Sequence, residues 1–125
     1  MSKLLNLSKW RSHDFSSGSY RGEDYVKFER ELRSYVKSLC KERNLEVVKF
    51  DCSHYECSWF VKNTNDEYLY FSISDVRFFL NEWWNHILFR TAQNVKDFTG
   101  GKNQYISLEN MWIVLDRFMR PERNL

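Results

Sequence analysis

The segment 23–43 constrains the fold of this chain more than any other stretch, because it carries apolar residues at the spacing of an amphipathic helix. The apolar positions that share one face are Tyr25, Phe28, Leu32, Val36 and Leu39. Acidic residues open the segment and basic residues close it, which matches the helix dipole, and Asn44 can end the helix. The pattern predicts a long helix that lays one face on a core.

Strand patterns follow this helix. Leu45–Cys52 is rich in β-branched residues, Cys57–Lys62 alternates between two faces, and Glu67–Arg77 alternates over a longer run. Asn63–Glu67 has the composition of a turn that links the last two segments. These segments predict strands that lie side by side in one sheet.

Segment 75–89 has two interpretations. Its apolar residues fit helical spacing, with Ser74 or Asp75 as the N-cap. In the interpretation that we favour, the preceding strand runs on through Arg77, a loop carries Phe78–Asn85, and a new strand begins at His86.

The segment Ser107–Met119 predicts a second helix, which Ser107 caps and Pro121 stops. The expected core face consists of Leu108, Met111, Trp112, Leu115 and Met119. Ile113 and Val114 lie off that face, so the helix is apolar around much of its circumference, as expected of a helix between a sheet and a second copy of the chain. The fold class predicted is α+β, with an antiparallel meander of three to four strands against a long N-terminal and a short C-terminal helix.

A single domain over residues 1–125 fits the chain length, and residues 1–22 are predicted to form an irregular N-terminal arm. The stretch 8–22 is rich in serine, glycine and arginine, with Trp10, Phe15 and Tyr20 interspersed. This mixture suits single-stranded nucleic acid, because rings stack on bases while guanidinium groups meet phosphates. The alternative is an ordered tail whose rings pin it to the core.

Charge is uneven along the chain, although the net charge is only +2. Residues 1–44 carry ten lysines and arginines against six acidic residues, and residues 45–125 carry nine against eleven. On the predicted long helix, four cations lie nearly opposite the apolar face: Lys27, Arg30, Lys37 and Lys41. Such a stripe could follow a phosphate backbone, and the alternative is an ordinary solvated face.

A second candidate binding face comes from the strands. Tyr68 and Tyr70 alternate with the apolar residues of their strand, and we expect Arg77 and Arg90 to join them on a face that the helices leave free. Exposed tyrosines and arginines serve both protein interfaces and nucleic-acid surfaces. The loop 96–104 adds Lys96 and Lys102 around a Gly-Gly pair, which is either a tight turn or a place where backbone amides approach an anion.

The chain offers few candidates for chemistry. Cys52, His54 and Cys57 form a tight cluster, but a structural zinc site needs four ligands and no second pair exists, so no metal and no cofactor is expected. We expect no catalytic residues, and the alternative of a small metal-dependent nuclease would use Asp75, His86 and Asp97.

A cytoplasmic protein with reduced thiols is expected. Three cysteines are an odd number, which does not suit a disulfide framework. The longest apolar run, Met111–Leu115, has five residues, far fewer than a membrane span needs, and the N-terminus lacks the apolar core of a signal peptide.

Two short stretches of the chain resemble known groups of proteins. Ser72–Arg77 (SISDVR) and Leu88–Asn103 (LFRTAQNVKDFTGGKN) resemble a pattern in small proteins of bacteriophages and mobile elements, the genomic pool that also contains the anti-CRISPR inhibitors. ILFRTA followed by Ile106-Ser107-Leu108 and Trp112 is similar to the single-strand-binding transcriptional coactivator family, which forms dimers and grips single-stranded DNA on its sheet. In that family a basic loop contributes, to which Lys96 and Lys102 correspond here.

The sequence therefore predicts a small non-catalytic binding protein, encoded by a phage or mobile element, that acts on nucleic acid or a nucleoprotein complex. The alternative is a protein-binding inhibitor of a host defence system, similar to an anti-CRISPR protein. A homodimer, where one forms, is expected to use the C-terminal helix.

Overall fold

The computed structural model describes residues 4, 7–8, 10, 23–53, 56–73, 86–97 and 101–119. Within them the elements are α1 (Glu23–Lys41), β1 (Glu46–Ser53), β2 (Glu56–Lys62), β3 (Tyr68–Ile73), β4 (Ile87–Ala92), β5 (Gln104–Ile106) and α2 (Met111–Phe118). The α+β class is confirmed. The meander has five strands rather than three to four. The additional strand is β5, which begins at the last residue of the segment that was predicted to be a loop.

The sheet is a simple meander in which each strand pairs antiparallel with the next, in the order β1-β2-β3-β4-β5. Its register places Phe50, Trp59, Phe71 and Phe89 in one row across four strands. Neighbouring rings in this row stack, with centroid separations of 5.1, 5.5 and 6.0 Å. This row lies on the core face, the side of the sheet that carries the hydrophobic core.

Helix α1 contributes a second set of residues to this core. Its buried residues are Tyr25, Phe28, Leu32, Tyr35, Val36 and Cys40. The predicted apolar face is therefore confirmed at four of five positions, and Leu39 is partly buried against the same core.

The end of α1 is set by Asn44, which takes the left-handed backbone conformation at φ 57°. The Leu45 amide then donates to the Cys40 carbonyl at 2.9 Å, and the Asn44 amide donates to the Lys41 carbonyl at 3.3 Å. These two bonds form a Schellman motif, in which an asparagine can replace the usual glycine. The motif turns the chain directly into β1.

The C-terminal helix differs from its prediction in which residues it buries. Ser107 accepts a bond from the Asn110 amide at 3.1 Å, so it organises the preceding turn, and the regular helix begins at Met111. Val114 is buried while Trp112 is 43% exposed, so the assignment of Trp112 to the core face is wrong. With the helix starting at Met111, the buried face follows positions 111, 114 and 115, and Trp112 is rotated away from it.

Asn63 joins the β2–β3 turn to α2. Its Oδ1 accepts bonds from the amides of Asn65 and Glu67 at 2.9 and 3.0 Å. Its Nδ2 donates to Glu67 Oε1 at 2.8 Å and to the Phe118 carbonyl at 3.2 Å. A buried side chain that is 4% exposed thus closes the turn and satisfies a carbonyl at the end of a helix.

Several predictions fall partly outside the described residues. Ile87 begins a strand, so a helix that continues through Ile87 is wrong, while residues 74–85 lie outside the described set. Of the predicted N-terminal arm, Leu7 and Trp10 are buried, and Trp10 Nε1 donates to Glu31 at 2.7 Å. At Trp10 the tail is therefore pinned to α1. Over the part of the chain that is described, no helix has the length and apolarity that a membrane crossing requires.

Candidate functional site

The second face of the sheet, opposite the core face, carries a row of large side chains. Register places Lys49, Phe60, Tyr70 and Arg90 side by side on successive strands. The rings of Phe60 and Tyr70 are 5.0 Å apart, and the Arg90 guanidinium lies over the Tyr70 ring at 4.5 Å. These contacts form a cation–π stack on the side of the sheet that was expected to be free.

The predicted exposure of this face is wrong for Tyr70 and Arg90. They are 8% and 3% exposed, and Phe60 beside them is 1% exposed. One cause is the segment that follows β4, which turns back so that Arg90 donates to the Asp97 carbonyl at 3.2 Å. Tyr68 is half-buried, and Arg77 lies outside the described residues.

The outer face of α1 behaves differently. Its four cations Lys27, Arg30, Lys37 and Lys41, here called the basic stripe, are all exposed. At 1.5 Å per residue the stripe runs for about 21 Å along the helix. It points away from the core, because its members lie nearly opposite the buried face of α1.

The acidic residues near the basic stripe have other partners among the described residues. Glu31 accepts the Trp10 indole bond, and Glu29 lies 4.0 Å from Arg33 on another side of the helix. Glu42 pairs with Arg43 at 3.4 Å. No member of the stripe forms an ion pair with a described residue, and all four side chains are exposed to solvent.

The loop cations and Gly101 have separate roles. Lys96 and Lys102 are both exposed, while Gly101 at φ 76° packs on β4. A Cβ at Gly101 would lie 2.5 Å from the Thr91 carbonyl oxygen and 2.8 Å from its hydroxyl. The turn interpretation therefore accounts for this glycine, since a side chain would collide with the strand.

Two aromatic side chains are exposed near the C-terminal end of the described chain. Tyr105 on β5 is 57% exposed, and Trp112 on α2 is 43% exposed. Asp116, one turn after Trp112 on the same side of α2, pairs with Arg43 at 3.4 Å, so this side faces the end of α1. Residue spacing does not predict this exposure, because Trp112 fits the core positions of the helix equally well.

A pocket of about 650 Å³ lies between the core face and α2. Leu69, Phe89, Val114 and Phe118 contribute apolar lining, and Gln104 and Arg117 contribute polar groups. Of the predicted binding residues only Tyr68 lines it. Its size lies in the range of small-ligand sites, and its lining comes from separate segments that no local motif connects.

The groups considered for chemistry do not converge among the described residues. Within that set no three histidine, cysteine or acidic side chains are close enough to hold a metal ion. Asp97 accepts a bond from the Gln93 amide at 3.0 Å, and His86 meets the edge of Tyr105 at 6.5 Å. Asp75 and His54 lie outside the described residues.

The three cysteines are free in this structure and lie in two environments. Cys40 is buried at the end of α1, and burial raises its pKa to about 12. Cys52 and Cys57 oppose each other on β1 and β2 with sulfurs 2.8 Å apart. The pKa of Cys52 is raised, mainly by the hydrogen bond to Cys57 and secondly by burial.

Comparisons of this chain with protein-family models, curated proteins and solved structures find no match.

Proposed function

We propose that this protein binds nucleic acid through the basic stripe of α1, without a catalytic role, and that the stripe contacts phosphates of the backbone. The observation that supports the proposal is the exposure of four cations along one helix face, none of which forms an ion pair with a described acidic residue. Backbone contacts by lysine and arginine supply most of the affinity in sequence-independent binding.

The burial of Phe60, Tyr70 and Arg90 on the second face of the sheet argues against binding of bases on that face. Stacking on single-stranded bases needs accessible rings, and the Tyr70 ring lies between Phe60 and the Arg90 guanidinium. The basic stripe itself contains no aromatic residue. The proposal is therefore recognition of the phosphate backbone with little preference for base sequence.

Fluorescence anisotropy with labelled duplex and single-stranded oligonucleotides of mixed sequence tests the proposal. Four phosphate contacts on a duplex predict a log–log slope of affinity against salt concentration of about −3.6, at about 0.9 per contact. Similar affinities for unrelated sequences of the same length are expected. No detectable binding at micromolar protein and low salt would contradict the proposal.

Two double variants with the same charge change locate the interface. Lys37→Gln with Lys41→Gln removes half of the basic stripe, and we expect weaker binding with a salt slope shallower by about two. Lys96→Gln with Lys102→Gln removes two exposed loop cations and should change the slope less. An equal effect of both pairs would mean that only the overall charge matters.

A protein partner is the second candidate function, and the exposed aromatic residues favour it. Tyr105 and Trp112 are the residue types that anchor protein interfaces, and they are 57% and 43% exposed. In this proposal the protein, encoded by a phage or mobile element, inhibits a cytoplasmic defence complex of its host. Trp112→Ala should then weaken the complex by about 2 kcal/mol or more while oligonucleotide binding stays unchanged.

The proposed homodimer uses the same helix, so it is tested with the same variant. Light scattering across a concentration series should show self-association that Trp112→Ala removes. A monomer at all concentrations would leave Trp112 free to bind a different protein and would contradict the dimer.

A further inference from the structure

A pair of cysteines, Cys52 and Cys57, lies in the β1–β2 hairpin and is chemically unrelated to the basic stripe. The two residues occupy directly opposed positions of the antiparallel ladder, one rung before Ser53 and Glu56. Opposed residues project to the same side of the sheet, and both cysteines belong to the core side or pack against it. The strand pairing therefore holds the two thiols together.

The geometry meets the requirements of a disulfide bond. Opposed residues in an antiparallel pair have Cα atoms about 4.5–5.5 Å apart, within the range of about 4.4–6.8 Å that disulfides span. The sulfurs are 2.8 Å apart and the thiol of Cys52 donates to that of Cys57. Closing to a bond of about 2.05 Å requires little more than side-chain rotation.

Accessibility differs between the two thiols in a way that suits stepwise oxidation. Cys52 is half-buried, whereas Cys57 is 0% exposed. The Tyr25 hydroxyl lies 3.7 Å from the Cys57 sulfur and closes that side. An external reagent can thus reach Cys52, and Cys57 can react only with its neighbour.

We infer that Cys52 and Cys57 form a reversible intramolecular disulfide, a redox modification site that cross-links β1 to β2 and takes a small-molecule disulfide as oxidant. The Cys52 thiolate attacks the oxidant, forms a mixed disulfide and releases one small thiol. Cys57 then gives up its proton and attacks the Cys52 sulfur, and the second small thiol leaves. Two protein thiols are oxidised by two electrons, and one small disulfide is reduced to two thiols.

The surroundings of the pair predict slow exchange at neutral pH. The pKa of Cys52 is raised, first by the hydrogen bond to Cys57 and then by burial, so little thiolate is present. Glu29 of α1 adds to this effect, and Arg33 of α1 opposes it. The rate should increase with pH because the thiolate is the attacking species.

The third cysteine provides an internal control. Cys40 is 1% exposed and lies fifteen residues along α1 from Tyr25, about 22 Å at the helical rise. Because Tyr25 contacts Cys57, the pair lies near the start of α1 and Cys40 lies near its end. The inference therefore requires that oxidation consumes two thiols and spares Cys40.

The full chain is incubated with glutathione buffers of increasing oxidised fraction, with a chelator present so that metal capture cannot account for lost thiols. Remaining thiols are alkylated in denaturant, and intact mass and peptide mapping identify the products. The expected product is a monomer that lacks two hydrogens, is alkylated only at Cys40 and returns to three thiols on reduction. Three alkylated cysteines at every ratio, or a disulfide between chains, would overturn the inference.

Two variants sharpen the result. Cys40→Ser keeps the pair and should oxidise as the unmodified chain does. Cys52→Ser alters only the half-buried member and should abolish the intramolecular bond, leaving two alkylated thiols. A Cys52→Ser chain that still loses two thiols would place Cys40 in the bridge and contradict the assignment. The inference does not depend on the proposed nucleic-acid function, so either can fail alone.

Discussion

Basic side chains lie on two surfaces of this protein, the second face of the sheet and the outer face of α1. The two surfaces differ in whether these side chains are buried or exposed. On the second face of the sheet, Arg90 is buried against Tyr70 and bonded to the Asp97 carbonyl. On the outer face of α1, Lys37 and its neighbours in the basic stripe extend into solvent. The same residue chemistry therefore serves internal structure in one place and an open positive surface in the other.

The largest expected difference between the two surfaces is in how much a substitution on each lowers the free energy of unfolding. Arg90→Ala removes a cation–π contact and a hydrogen bond and leaves a buried space, so we expect a loss of about 2–4 kcal/mol in the free energy of unfolding. Lys37→Ala on the open surface should change it by less than about 0.5 kcal/mol. Urea unfolding of the two variants measures the difference. Equal, small losses would mean that Arg90 is not held as its contacts indicate.

The buried side of α1 should respond to alkaline pH. Burial raises the pKa of Cys40 from 9.0 to about 12, so the folded chain keeps a proton that the unfolded chain releases. This contribution is fully present below pH 9 and is lost as pH rises towards 12, at roughly 1.4 kcal/mol per pH unit. By pH 10.5 the loss from this thiol should reach about 2 kcal/mol.

Urea unfolding between pH 8 and pH 10.5 tests this dependence, with Cys40→Ala as the matched variant. Burial also raises the pKa of Tyr35, so the variant should keep part of the decline and lose the contribution of one proton. Parallel curves for the two proteins would contradict the assignment to Cys40.

Adjacent positions in the β4–β5 loop repeat the contrast on a smaller scale. Gly101→Ala places a methyl group against the Thr91 backbone at a positive φ, so we expect a loss of about 1–2 kcal/mol in stability. Lys102→Ala next to it is exposed and should be nearly neutral. Thermal unfolding compares the pair, and a neutral Gly101→Ala would show that the loop can move off the strand.

Local patterns were sufficient for most of the fold. The three- and four-residue spacing in α1 identified its buried face, and Asn44 marked its end, because both depend on residues close in sequence. Strand β5 has three residues and too little pattern to be recognised. The predicted core face of α2 was wrong at Trp112, because the sequence of a helix that is apolar on several sides does not define which side is buried.

The candidate site was harder to predict from the sequence than the fold. The basic stripe could be predicted, since a helix face opposite the core meets solvent unless another element covers it. Tyr70 could not be placed correctly, because alternation shows that it lies opposite Leu69 and Phe71 but not whether that face is covered. The pocket and the Asn63 bonds depend on segments far apart in the chain, which spacing cannot reveal.

The smallest expected effect concerns oligonucleotide affinity, which should differ between a variant of the buried surface and a variant of the open surface. Tyr70→Phe removes a hydroxyl and keeps the ring between Phe60 and Arg90, so the fold should be retained. Because that ring is 8% exposed, oligonucleotide affinity should change by less than about 0.5 kcal/mol, roughly twofold. Lys37→Gln, at the centre of the open surface, should weaken binding at low salt by more and make the salt slope shallower by about one. A loss of affinity in Tyr70→Phe that equals the loss in Lys37→Gln would move the interface to the sheet, since the hydroxyl of a buried residue is not expected to contribute as much as an exposed cation.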